Sequence, residues 1–477
     1  MKILFIQKDV FAKPAVMALS ALLKRDGHVT ALCIDDLETD PGYKISVFKP
    51  DIIGFSITTG EYPWMKQIAE RIRPYFKGLI ICGGAHPTFY PDVIYDENID
   101  AVCVGEGDQA LSEFVAEYEK NGDITSVKNF LVKKDGQVFR NELRNLVEDL
   151  DSLPFYDRSV YKAYSLYDEK KNDVLYHTVM ITGRGCPFKC AFCFNKAYNE
   201  LYQGKGQIVR RRSVTNVIEE LGALKKNESP EFITFDDDTF TLASDIWLDD
   251  FLQAYKREIN IPFKLNARAS HLNETRIIKL KKAGCFAVKI GVESGNSALR
   301  NNLLGKDISQ DDIIAAAFLL KKHRIRFQTF NMVGSPGETF DMAMETYRLN
   351  KKIRPDFVWC SLVNPYPGTD IYAYSIKNGF IQKTDASGSS YSYFGNTPIK
   401  MMDRRKMIHL QKLLFFGVFF KIPDRLIIFL AGLPLTGLYN TVFGSGMFIG
   451  LNRINKINFL KTLKITIRYL VKYNFEK

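Results

Sequence analysis

Short apolar runs alternate with amphipathic stretches along two separate lengths of this chain. Between residues 1 and about 140 the runs KILFI, HVTALCI, DIIGFSI, GLIICGG and AVCVGEG read as five strands, and AVMALSALLKRDG and YPWMKQIAERIRPYF carry helical spacing. Residues 141–175 form a connector, with DLDSLPFYDRS showing no period. From 176 to 395 the alternation returns, with six strands at HTVMITGR, FITFDDDTF, FKLNARAS, AVKIGVESG, RFQTFNMVG and FVWCSLVNPYPGT. Helical stretches such as SVTNVIEELGALKK and ISQDDIIAAAFLLKKH separate them. Strands that alternate with helices pair in parallel under helices on both faces, so the fold class expected is α/β. The second length, with six βα units, predicts an incomplete parallel barrel, a partial (β/α)6 form of the eight-unit architecture.

In both architectures ligands meet the carboxyl ends of the strands. Those ends carry the unusual residues here: SITTG, CGGAHPT and VGEGD in the first length. In the second they are Arg184 with a cysteine cluster, Asp236 and Asp237, Arg268, Glu293 and Ser294, and the GSPGE turn at 334–338.

The last segment, 396–477, breaks the alternation. Lys400–Lys477 holds 14 Lys or Arg against 3 Asp or Glu, leaving 51 of each sign in the rest, so the whole net charge of +11 lies in this tail. A basic surface spread over the body is excluded, and no nucleic-acid partner is expected. Between Arg425 and Arg453 run 27 uncharged residues, but Pro434, Asn440 and five glycines argue against a clean membrane-spanning helix. The final stretch, LNRINKINFLKTLKITIRYLVKYNF, is basic and amphipathic. A helical region is expected, either capping the barrel or lying peripherally on an anionic membrane at its cytoplasmic face. The opening MKILFIQKDV is no export signal, and eight cysteines are too few for a disulfide scaffold. Reduced thiols in the cytoplasm are therefore expected.

Three of those thiols are Cys186, Cys190 and Cys193, in GRGCPFKCAFCFN. A structural zinc site closes with four Cys or His ligands. No second ligand pair follows at finger spacing, and His177 and His271 are isolated. A disulfide conflicts with the compartment, and a redox CxxC has no need of Cys186. An iron–sulfur cluster held by three thiolates fits best, with one iron open to a substrate or cofactor. The other cysteines, Cys33, Cys82, Cys103, Cys285 and Cys360, lie in apolar runs and are expected to pack as small hydrophobes.

CPFKCAFCF, with Phe192 before its last cysteine, resembles the signature loop of the radical S-adenosylmethionine (SAM) superfamily. The resemblance implies a [4Fe–4S] cluster on Cys186, Cys190 and Cys193 whose fourth iron is chelated by SAM. It further implies SAM contacts from Asp236 and Asp237 in FDDDTF, Arg268 in NARAS, Glu293 and Ser294 in GVESG, and Gly334 and Pro336 in NMVGSPGET. The family's Gly-Gly-Glu after the second strand is here Asp-rich. The first domain, 1–140, resembles the Rossmann-like, flavodoxin-like cobalamin-binding domain of cobalamin-dependent, class B methyltransferase-like members. That resemblance implies cobalamin contacts at Ser56, Thr58, Thr59, Gly83, Gly84, His86, Gly105 and Glu106. RDGHVTA imitates a cobalt-ligating motif, but its Asp26, Gly27 and His28 fall in a helix-to-strand turn, so no His ligand is expected.

The activity implied is reductive cleavage of SAM to a 5′-deoxyadenosyl radical, hydrogen abstraction from an unactivated carbon, and methyl delivery from cobalamin. The substrate would be a small molecule or lipid-like compound, and the electron source a flavodoxin- or ferredoxin-type reductant. A cyclase or oxidative rearrangement without methyl transfer is the alternative reaction. A non-catalytic cobalamin- or SAM-binding regulator is the alternative outside catalysis.

Overall fold

The structure is a computed structural model and describes residues 1–38, 40–162, 164, 178–382, 392 and 394–455. His177 and the basic end of the chain, 456–477, lie outside the described residues.

In the first domain β1 (Lys2–Gln7), β2 (Val29–Ile34), β3 (Ile52–Ser56), β4 (Leu79–Gly83) and β5 (Ala101–Cys103) pair in parallel in the order β2-β1-β3-β4-β5. This is the flavodoxin-like order. The strands are apolar without alternation because both faces are covered. On one side Val16, Met17 and Leu23 of α1 (Pro14–Arg25) pack with α5 (Asp108–Asn121). On the other lie Ile45 of α2 (Pro41–Phe48) and Met65, Ile68 and Ile72 of α3 (Tyr62–Ile72). A short α4 (Ala85–Phe89) follows β4. The Asp26-Gly27-His28 segment is the turn from α1 into β2, as its composition implied. The structure adds a hairpin of β6 (Phe130–Lys134) and β7 (Gln137–Arg140), with β6 pairing antiparallel to β5, giving seven strands. Its Asp135-Gly136 turn is a two-residue hairpin signal.

The second sheet orders β8 (Val179–Met180), β11 (Ile233–Phe235), β12 (Phe263–Ala267), β13 (Cys285–Glu293), β14 (Arg326–Val333) and β15 (Phe357–Leu362) sequentially and in parallel. Among the described residues it does not close, and β8 and β15 are its edges. Two short strands, β9 (Gly183–Arg184) and β10 (Arg210–Arg211), pair antiparallel beside β8. The helices are α6 (Phe194–Leu201), α7 (Val214–Glu228), α8 (Asp245–Ala254), α9 (Glu274–Ala283), α10 (Gln310–Lys322), α11 (Phe340–Ile353) and α12 (Asp370–Lys377). Six of them start on a Ser, Thr or Asn whose side chain accepts from the third helical amide: Ser213, Ser244, Asn273, Ser309, Thr339 and Thr369. Each such cap is worth roughly 1 kcal/mol. Phe263, Leu265 and Ala267 of β12 enter the core under α7 and α8. Period-2 alternation turns Lys264 and Asn266 to the opposite, inner face.

The C-terminal region is helical: α13 (Arg404–Phe419), α14 (Asp424–Gly432) and α15 (Thr436–Asn455). Gln411 of α13 donates to the Cys360 carbonyl of β15 at 2.8 Å. Arg453 of α15 bridges to Asp356 at 3.3 Å, Gly450 lies against the Phe357 ring, and Lys264 donates to Asn455. α15 therefore caps the starts of β14 and β15. Among the described residues no helix is long and apolar enough to cross a membrane.

Candidate functional site

The three clustered cysteines occupy the loop between β9 and α6, and Cys193 stands at the N-terminus of α6. Backbone bonds hold this loop from two sides. Ala191 donates to the Leu304 carbonyl at 2.9 Å, and Ile371 donates to the Ala191 carbonyl at 3.0 Å. Asn199 fixes the Cys186 carbonyl at 2.8 Å. Cys186 and Cys190 are buried and Cys193 is partly buried. Burial raises all three thiols above their ordinary value, Cys193 to about 11. Thiols so placed become thiolates when a metal supplies the compensating charge. Among the described residues no group of three or more His, Cys, Asp or Glu converges on one metal ion. Three thiols in one loop fit a cluster in which each serves a different iron.

Charged groups from later strands surround the loop. Glu293 ends β13 in the left-handed region, at φ 63. Strain of this kind, about 1–3 kcal/mol for a side-chain-bearing residue, gathers at working sites. Its carboxylate pairs with Lys306 at 2.8 Å. Lys306 lies 6.0 Å from the Phe192 ring centroid. Arg268 stacks its guanidinium over Phe188 at 3.8 Å and donates to the Lys306 carbonyl at 2.6 Å. Burial apart, Lys306 and Arg268 both lower the Cys190 thiol. Ser294 is fully buried, and its carbonyl accepts from Arg300 at 2.8 Å. Sequence reading overlooked Lys306. It sits in a loop beyond the strand end, so neither period nor motif marked it.

The three aspartates after β11 divide by direction. Asp236 faces the inner side, with Lys289 at 2.9 Å and Asn266 at 3.2 Å. Burial opposes its charge, Lys289, Asn266 and Lys264 together more than offset this, and the carboxyl is held below its ordinary value. Asp237 is buried and ties the Thr182 amide and hydroxyl at 3.1 and 2.7 Å. Asp238 carries the charge that acts on Cys186 and Cys193, raising both thiols further. Of the pair named from sequence, neither is the aspartate that acts on the cysteines. Gly334 and Ser335 donate their amides to buried Glu338 at 2.7 and 2.9 Å, and Gly334 lies against Met401. Pro336 sits in the same turn.

In the first domain a cavity of about 350 Å³ opens at the ends of β1, β3, β4 and β5. Ser56, Gly83, Gly84, Gly105 and Glu106 line it, with Cys82, Cys103 and Leu111. Close backbone packing requires glycine in its wall: a Cβ on Gly84, at φ +103, would stand 2.8 Å from the Ile57 amide nitrogen. An apolar recess of this size with glycine walls fits part of a bulky planar cofactor. Thr58, Thr59 and His86 do not line it. Thr58 bonds Glu61 at 2.8 Å through its amide and its hydroxyl. His86 is buried between the rings of Tyr62 and Tyr90, with Thr59 at 3.3 Å, and burial lowers it to about 4. It is a packed, neutral imidazole.

The two domains share the wall between these places. Ile181 and Arg184, just before the cysteine loop, line the cavity. Glu106 reaches Arg184 at 3.3 Å and Arg210 at 2.7 Å, and Asp108 takes Arg184 at 2.6 Å. Tyr202, fully buried after α6, accepts from the Glu106 amide at 2.9 Å and occupies the space beside Gly105. Phe194, next to Cys193, stacks on Phe89 of α4 at 4.7 Å and on Tyr366 at 5.5 Å.

Comparison with known proteins agrees with this pairing of domains. A family model described as Radical SAM superfamily matches residues 180–349, and one described as B12 binding domain matches residues 10–115. An uncharacterised methyltransferase of Pyrococcus horikoshii is 30% identical over 380 residues, 77% of this chain and 79% of that protein. An anaerobic magnesium-protoporphyrin IX monomethyl ester cyclase of Rubrivivax gelatinosus is 26% identical over 400 residues, 78% of this chain and 69% of that protein. The radical SAM methyltransferase TsrM from Kitasatospora setae, solved with cobalamin and a [4Fe–4S] cluster, shares the fold at TM-score 0.65 and 15% identity, over 79% of this chain and 75% of that one. The cobalamin-dependent enzyme OxsB, solved with aqua-cobalamin and SAM, shares it at TM-score 0.67 and 16% identity, over 94% and 72%. The chain belongs to the cobalamin-binding, methyltransferase-like branch of the radical SAM superfamily, an enzyme whose cofactors are a [4Fe–4S] cluster, SAM and cobalamin.

Proposed function

We propose that this enzyme methylates an unactivated carbon of a small, apolar or lipid-like molecule held between the first domain and the mouth of the barrel. One observation carries the reading: Ile181 and Arg184, which lead into the cysteine loop, also wall the cavity of the first domain. Two cofactors that act on one substrate need such adjacency. Cys186, Cys190 and Cys193 would hold the cluster, Lys306, Glu293 and Asp238 would orient SAM, and the cavity lined by Ser56, Gly83, Gly84 and Gly105 would seat part of the corrinoid. When bound, these groups supply the electron, the radical and the methyl group. The protein's own part is to position them and to exclude water. A flavodoxin- or ferredoxin-type reductant in the cytoplasm completes the reading.

The inner face supports an apolar substrate. Thr329 and Asn331 of β14 both bond Asn350 of α11, so Phe330 between them points inward. Phe330, Trp359, Phe394 and Phe443 form a row of rings with successive centroids 6.3, 5.1 and 4.9 Å apart.

The test is anaerobic incubation of reconstituted enzyme with reductant and methyl-labelled SAM. The reading expects 5′-deoxyadenosine and label carried by the bound corrinoid. Absence of 5′-deoxyadenosine would sink radical initiation. The cyclase relatives favour a second reading, oxidative ring closure without methyl transfer. It expects 5′-deoxyadenosine with no label on the corrinoid.

A further inference from the structure

We propose that the corner formed by the end of α13, α14 and the start of α15 is a docking surface for an anionic lipid bilayer. Seven of the nineteen exposed large hydrophobics among the described residues fall within the twenty residues from Phe419 to Leu438. They are Phe419, Phe420, Leu426, Ile428, Phe429, Leu435 and Leu438, with Phe420 64% and Phe429 61% exposed. Such a concentration marks an interaction site, since singly scattered hydrophobics are the norm on a surface. Each of the three helices already has a buried side. Ile427 and Ala431 of α14 and Tyr439 of α15 enter the same core as Leu410 and Leu414 of α13, so the exposed set is a surplus beyond internal packing.

Charge identifies the occupant. Lys421 and Arg425 are exposed among these side chains, and neither has an ionic partner among the described residues. The acid in the segment, Asp424, is taken by Arg348 at 2.8 Å and Lys351 at 3.0 Å. The corner thus presents aromatic and aliphatic side chains with uncompensated cations. α13 and α15 run side by side in one direction, with Thr436 beside His409, and Arg453 5.2 Å from the Phe419 ring centroid. The chain therefore leaves α15 next to this corner. Its remaining residues, 456–477, add six Lys or Arg and one Glu. Like charge disfavours that segment, or a second copy of the chain, as the cover of a cationic corner, whereas anionic headgroups complement both. Aromatic side chains inserted at headgroup depth beside Lys and Arg are the chemistry of a peripheral membrane contact. No helix among the described residues is long and apolar enough to span a bilayer.

The test is cosedimentation of the full-length holoenzyme with vesicles of phosphatidylcholine alone or with about one quarter phosphatidylglycerol, a fraction in the range of natural anionic leaflets. Binding at least tenfold stronger to the anionic vesicles is expected, and loss of most of it in high salt. Phe420→Ser with Phe429→Ser, both at exposed positions, should reduce binding at least tenfold with an unchanged circular dichroism melt. Lys421→Glu with Arg425→Glu should abolish the preference for anionic vesicles. Equal binding of parent and Phe-to-Ser chain, equal binding to both vesicle types, or no binding overturns the proposal. So does a concentration-dependent dimer that the Phe-to-Ser pair dissolves, which would assign the corner to a second copy. All these readouts are independent of the reaction, so the docking surface and the methylation reading stand or fall separately.

Discussion

Replacing Glu338 with Gln should change how stability depends on pH. Glu338 is 3% exposed, accepts amides from Gly334 and Ser335, and leaves its Oε1 without a partner. Burial outweighs the two amide bonds and raises the carboxyl from 4.5 to about 7. A raised carboxyl holds a proton in the folded chain that it has lost in the unfolded chain. Its contribution is fully present below about 4.5 and is lost as pH rises through about 7. At about 1.4 kcal/mol per pH unit the full loss is about 3.4 kcal/mol, of which about 2.5 kcal/mol falls between pH 5 and 8. Gln is uncharged throughout and keeps an acceptor for both amides. Denaturant unfolding of apo parent and Glu338→Gln chains at both pH values isolates the effect, because every other titrating group cancels in the difference. The parent should lose about 2.5 kcal/mol more than the variant between pH 5 and 8, whatever fixed offset the amide introduces. Parallel pH profiles would show that Glu338 is ionised when folded and refute the reasoning.

Glu106→Ala removes the carboxylate between Arg184 and Arg210 and strands the buried Arg210 guanidinium, so chemical denaturation should show a loss of about 3 kcal/mol. Lys306→Met should weaken SAM binding about tenfold, or about 1.4 kcal/mol, with iron content unchanged, and Lys306→Arg should recover part of it; calorimetry reads both. Ala18→Phe places a ring in the first-domain cavity and should lower corrinoid content, read from absorbance bands, with an unchanged far-ultraviolet dichroism spectrum. Cys190→Ser should remove iron and sulfide on metal analysis while the apo chain keeps its melting temperature, since the loop backbone is held by Leu304 and Asn199.

Local pattern carried much of this in the sequence. The five parallel strands of the first sheet and the six of the second were legible because each is a near-continuous apolar run between helices, and the cysteine loop because three ligands share eight positions. What was hidden depends on direction or on distant partners. Asp236, Asp237 and Asp238 are equivalent as letters, and only the path of the chain beyond β11 gives one to Lys289, one to Thr182 and one to the cysteines. Glu106 lies at a strand end, as a ligand contact should, and lines the cavity; its partners Arg184 and Arg210 are 78 and 104 residues away, beyond any periodic signal. His86 looked polar and available beside the glycines, yet two tyrosine rings enclose it. The β6–β7 hairpin was missed although Asp135-Gly136 marks it, because polar Lys133, Lys134 and Gln137 dilute its apolar run.

Tyr202 has a consequence for how such a chain can be taken apart. It comes from the barrel half, yet its hydroxyl sits where a Cβ on Gly105 would stand 1.9 Å away, and it serves both the Glu106 amide and Asn129. The two halves are therefore not interchangeable modules. A corrinoid domain borrowed from a relative would need a bare backbone at the position of Gly105 and an amide at that of Asn129, or the graft would push α6, and with it Cys193, out of register. Exchange of parts between such enzymes should succeed where the crossover carries Gly105, Asn129 and Tyr202 together, and fail where it separates them.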